Sequence, residues 1–108
     1  MKAPLYSKMA SGHLCIILED GITYTSFPTR AKKWQDRLTL NLLRKIDGQG
    51  ERLWECESDG CIYWLAYDDS SAELALEPQD AKAGIAILKI GDRLKLSRFD
   101  EIPKDGRP

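Results

Sequence analysis

Two Asp-Gly pairs, Asp20-Gly21 and Asp59-Gly60, each stand between runs of β-branched, aromatic and long apolar residues. Asp and Gly tolerate the positive φ values of a tight primed turn, so each pair predicts a two-stranded antiparallel hairpin. The first joins 13–18 to 22–27, and the second joins Glu51–Glu57 to Cys61–Tyr67. In the second, a two-residue loop pairs Ser58 with Cys61 and Cys56 with Tyr63. That register puts Leu53, Glu55, Glu57, Ile62, Trp64 and Ala66 on one face and Trp54, Cys56, Cys61, Tyr63 and Leu65 on the other.

The segment from Thr29 to Ile46 supports two periods. As a helix, Ala31, Trp34, Leu38, Leu42 and Ile46 stack on one side, with Thr29 as cap after Pro28 and Asp47-Gly48 as stop. As a strand, Leu38, Leu40 and Leu42 alternate with Thr39 and Asn41. The reading adopted is a helix through Arg37, with 38–46 open between helix and strand. Ser70 and Glu73 have capping-box spacing, which predicts a short helix within 68–77 that ends before Pro78. Ile85–Ile90 and Arg93–Phe99 read as a third pair of strands around Gly91-Asp92. The expected fold is α+β, mainly β: a single domain over 1–108, with 1–12 a loose tail or a loose first strand and 100–108 a loose tail. About six strands form a small antiparallel sheet or partly open barrel with one or two short helices. At 43% hydrophobic and 31% charged, the chain has the composition of a folded domain. Its longest wholly apolar stretch, Leu14–Leu18, is far below the roughly 20 residues of a membrane span.

Catalytic signatures do not emerge. The one histidine, His13, lies two residues from Cys15, about 6.5–7 Å along a strand and too far to activate a thiolate directly. No nucleophile elbow, phosphate loop or dinucleotide fingerprint occurs, so the expectation is a non-enzymatic chain. His13, Cys15, Cys56 and Cys61 make a formal tetrahedral zinc set, weighed against the commoner role of free cysteine as a small buried hydrophobe. No cofactor is expected unless that zinc is present. Three cysteines, an odd number, fit reduced thiols and a cytoplasmic setting. The acidic run at 68–73 lacks the alternation of a calcium loop and reads as helix capping.

Charge is sorted along the chain. Residues 29–46 carry net +5 and residues 47–80 net −9 within a total of −1. On a helix, Arg30, Lys33, Arg37 and Arg44 fall within about 60° of one another. With Trp34 for stacking, they form the candidate nucleic-acid surface. An overall sequence pI near 5.8 argues against that as the main role. The preferred expectation is a binding or accessory protein. It would meet a protein partner through the acidic hairpin, with Glu55, Glu57, Trp64 and Trp54 as candidate contacts and the basic segment as a second surface.

Overall fold

The computed structural model describes residues 3–97. Six strands and two helices follow in the order β1 (Leu5–Lys8), β2 (Leu14–Asp20), α1 (Phe27–Leu38), β3 (Asn41–Gly48), β4 (Glu51–Ser58), β5 (Cys61–Asp68), β6 (Glu73–Pro78) and α2 (Ala81–Arg93). The strands form one open antiparallel sheet in the order β1-β2-β6-β5-β4-β3. The expected mainly-β α+β class is therefore the observed one, in its open-sheet form. The chain makes the β1–β2 hairpin at one edge and then crosses as α1 to the far edge. It returns as a four-strand meander whose last member, β6, pairs with β2. Both helices pack on the same side of the sheet, where Ile16, Phe27, Trp34, Trp54, Tyr63, Leu65, Leu76 and Ile87 share one buried cluster.

The second Asp-Gly hairpin forms in the expected register. Asp59 and Gly60 take φ values of 51° and 78°, as a primed turn requires, and Ser58 and Cys56 face Cys61 and Tyr63. The helix over 29–37 also forms and is longer at its N-terminus, while the ambiguous stretch resolves into strand β3. Its cap is Ser26 rather than Thr29, with Pro28 in the first turn, where a missing N–H does no harm. Phe27, Ala31, Trp34 and Leu38 are its buried stripe. Leu42 and Ile46 do not extend that stripe; they sit on edge strand β3 and stay 39% and 41% exposed.

Three expectations fail, each for a local reason. No hairpin forms at Asp20-Gly21. Instead Ile22 donates its backbone N–H to Ala72, and Thr23 and Ser26 exchange side-chain hydrogen bonds at the entry to α1. The apolar run 22–27 thus supplies two buried anchors, Ile22 and Phe27, rather than a strand. No helix forms within 68–77. The Asp68 carboxylate accepts from the backbone N–H and the hydroxyl of Ser70, Ala72 turns at φ 55°, and Leu74 and Leu76 alternate as the buried side of β6. The expected strand pair after residue 83 is helix α2. Asp80 caps it by accepting from the Ala83 N–H at 2.8 Å, and Ala83, Ile87, Ile90 and Gly91 are buried at helical spacing. Within 1–12, read as a tail or a loose first strand, residues 5–8 form the strand β1, whereas 100–108, like Phe99, lie outside the described residues.

Candidate functional site

Because side chains alternate along a strand, half of each strand points away from the helices. Among the described residues neither helix covers this second face. Cross-strand register organises it into rows. Leu5, Ile17, Ala75, Ala66, Leu53 and Ile46 are successive partners across all six strands, an unbroken apolar row perpendicular to them. Its two central members are alanines, 7% and 8% exposed, so the row dips in the middle, while Ile17 is 7% exposed beside Ala3, Leu5 and Met9, which pack over that end. A concavity of about 240 Å³ opens there, lined by Cys15, Ile17, Leu53, Ala66, Ala75 and surrounding carboxylates.

The rows on either side differ. Two residues along β4, β5 and β6, and three along β2 through its bulge at Leu18, Asp20, Glu73, Asp68 and Glu51 are direct partners on four adjacent strands. Like charges placed opposite one another across strands are destabilising. The two hydrogen bonds from Ser70 hold the Asp68 carboxyl below its usual range, keeping it ionised within the row. On the other side run Glu77, Trp64, Glu55 and Arg44. Glu55 is held by Arg44 Nε at 2.9 Å and Gln79 Nε2 at 2.8 Å, and the Arg44 guanidinium lies 5.8 Å from the Trp64 ring centre. Glu57, one row further out, accepts from Gly60 N–H and Asn41 Nδ2. Among the described residues, no hydrogen bond or ion pair engages the carboxylates of Glu51, Glu73 or Glu77. Burial pushes the Glu77 carboxyl up, and burial together with Glu77 and Glu73 pushes the neighbouring Cys15 thiol to about 11. That thiol is inert at neutral pH.

Of the candidate protein contacts, Glu55, Glu57 and Trp64 lie together on this face. Trp54 does not: it is 4% exposed on the helix side, edge-to-face with Phe27 at 5.1 Å, and its Nε1 donates to Asp47. Sequence reasoning missed Asp20, Glu51, Asp68, Glu73 and Glu77 as members of the surface. The one signal was the alternation of Glu73 and Glu77 with Leu74 and Leu76.

The candidate nucleic-acid set is divided. Arg30, Lys33 and Arg37 lie on α1, whereas Arg44 is on β3, bound to Glu55 on the opposite face. Arg30 Nε reaches Glu19 at 2.9 Å, and Trp34 Nε1 reaches the same carboxylate at 2.8 Å. Burial tends to raise the Glu19 carboxyl, but the hydrogen bonds from Arg30 and Trp34 outweigh it and hold it low. Trp34 is 5% exposed beneath Arg37, so its ring is not presented for stacking. The candidate zinc ligands are divided too. Cys56 and Cys61 are buried in the core on the helix side, and Cys15 is on the other face. Among the described residues no group of three His, Cys, Asp or Glu converges as a metal cage, and no helix is long and apolar enough to cross a membrane. No family model, curated protein or solved structure matches the chain.

Proposed function

We propose that this chain is a non-enzymatic protein-binding module that docks a basic partner on the helix-free face of its sheet. The observation that carries the reading is the pairing of two features on the helix-free face: an apolar row across the whole sheet, and beside it the carboxylates of Glu51, Glu73 and Glu77, which no hydrogen bond or ion pair engages among the described residues. Isolated apolar residues on a surface need no explanation, but a contiguous apolar band rimmed by charge marks an interaction site. Carboxylates in direct register weaken a sheet. A cationic partner turns that repulsion into attraction and gains specificity and on-rate from it.

The test is capture from a lysate of the native host with three baits: the wild-type chain, Glu73→Lys with Leu53→Lys, and Lys33→Glu with Arg37→Glu. The expected result is a set of basic proteins retained by wild type and the α1 variant and lost with the face variant. Retention that the face variant leaves unchanged overturns the proposal. Titration with single- and double-stranded DNA and RNA at two salt concentrations covers the rival. Salt-sensitive binding abolished by the α1 variant would move the function to nucleic acid.

A further inference from the structure

Resting on that reading, we infer that the docking element of the basic partner is an amphipathic α-helix of about 16 residues, lying across the strands along the apolar row. Neighbouring strands are about 4.8 Å apart, so the row from Leu5 to Ile46 spans roughly 24 Å, and at 1.5 Å per residue a helix of about 16 residues covers it. Width gives a second, independent constraint. On the two strands where both flanks are acidic, β4 and β6, the flanking rows lie two residues to either side, so Glu51 and Glu55 bracket Leu53, and Glu73 and Glu77 bracket Ala75. Four residues of strand span about 13 Å, and a helix with its side chains is about 10–12 Å across. A single extended strand fills less than half that width. The dip at Ala66 and Ala75 admits the large residues of a helix's central turn, with Leu53 and Ile17 as its walls.

Charge fixes the orientation about the helix axis. One flank, Asp20, Glu73, Asp68 and Glu51, is wholly acidic, so the partner helix carries its Lys and Arg along that edge. The other flank offers Glu77 beside Trp64, followed by Glu55 already occupied by Arg44. The opposite edge of the helix therefore needs one cation, toward Glu77, and an apolar residue over the indole. A second copy of this chain is a poor occupant by the same criteria. Its α1 is 12 residues long, and its buried stripe of Phe27, Ala31, Trp34 and Leu38 is already used in its own core.

The test uses the full chain and four synthetic peptides at low and high salt. One is a 16-residue Leu/Ala/Lys helix with an apolar stripe and Lys along one edge. The second rearranges the same composition to alternate at a period of two, the third carries two central prolines, and the fourth is oligolysine of equal length. The expected result is at least tenfold tighter binding of the first peptide than of the other three. Its helicity should rise on binding, amide shifts should centre on Ile17, Leu53, Ala66 and Ala75, and Glu73→Lys should weaken it at least tenfold. If the alternating peptide or oligolysine binds this face as tightly, the helix inference fails while the basic-partner reading stands. If the helical peptide binds but maps to α1 or α2, both fail. If no peptide binds and the chain instead dimerises through this face as concentration rises, the face belongs to a second copy and the inference is overturned.

Discussion

Replacing Gly91 by alanine is the sharpest probe of how the apolar row is completed at its β1 end. Gly91 faces the sheet from α2, and a Cβ built there overlaps the hydroxyl and ring of Tyr6, with Cε1 only 3.0 Å away. Tyr6 is 4% exposed, and its hydroxyl donates to the Leu88 carbonyl at 3.4 Å, so the end of the ring is held against α2. Helix propensity alone favours alanine by about 1 kcal/mol. Against that, forcing a methyl into a packed site costs about 1–3 kcal/mol, and losing a long hydrogen bond costs about 0.5 kcal/mol more. The expected net effect is destabilisation of about 1–2 kcal/mol, a fall in Tm of roughly 5–15 °C for a domain of this size. Calorimetry or urea unfolding of Gly91→Ala, Tyr6→Val and the double variant measures it. In the double variant the alanine should add no further loss, because the ring it displaces is gone. Tyr6 shares its strand with Leu5, so the variant should also weaken helical-peptide binding by loosening the first residue of the row. A rise in Tm for Gly91→Ala would refute the reasoning, since it would mean that Tyr6 does not occupy the space over α2.

Glu73→Lys places a cation directly opposite Asp20 and Asp68, and should raise Tm by roughly 5 °C in low salt. Scans at 1 M salt should erase the gain, as screening removes exposed charge effects. Glu77→Gln tests the buried carboxylate on the same face. Burial raises its native pKa above the unfolded value, so the penalty is absent below the unfolded pKa and grows as pH rises through the native one. The variant should be more stable than wild type at pH 8, and the two urea midpoints should converge by pH 4. The two tryptophans separate packing from surface: Trp54→Ala should cost about 3–5 kcal/mol, whereas Trp64→Ala should cost no more than about 1 kcal/mol while weakening partner binding. Equal losses in chemical denaturation would contradict the assignment of faces.

Legibility in the sequence followed the range of the interactions. The β4–β5 hairpin was readable because its turn chemistry and its alternation agree within one contiguous stretch. The helix around Ala31, Trp34 and Leu38 was readable for the same reason. Asp20-Gly21 has the same turn chemistry, but what decides its fate is the Ala72 carbonyl, fifty residues away, which captures Ile22. In α2 the run Ile85–Ile90 is apolar enough to read as a strand, and the helical spacing of Ala83, Ile87 and Ile90 is visible only once Asp80 is taken as a cap. The candidate surface was readable to the extent of Glu55, Glu57 and Trp64, which share a hairpin. Its strongest feature, the row Asp20, Glu73, Asp68 and Glu51, depends on β6 being a strand and on β2 being its neighbour. Neither follows from local pattern, because pairing between strands distant in sequence is set by the whole core.

The sorted charge of the chain could have been mutual compensation, with the basic segment folded against the acidic one. Among the described ion pairs only Arg44–Glu55 joins the two; Arg52 meets Asp47 within the acidic segment, and Arg30 meets Glu19 of the neutral first segment. The rest is divided between opposite sides of the molecule. Besides the paired Arg30, the two helices carry six cations, Lys32, Lys33, Arg37, Lys82, Lys89 and Arg93, against Asp36 and Asp92. The helix-free face carries Asp20, Glu51, Glu55, Glu57, Asp68, Glu73 and Glu77, with Arg44 on Glu55. A sheet and a packed helix layer stand between the two sets, about 10 Å or more, which is at or beyond the Debye length at physiological salt. Charges so separated do little to stabilise one another. A near-neutral chain with a basic back and an acidic front instead has a direction in the field of a charged partner, and that orients encounter before contact is made. On this argument the arrangement serves association rather than folding. Replacing acidic-face charges should therefore slow association with a cationic partner, while Glu73→Lys leaves the fold as stable as before or more so.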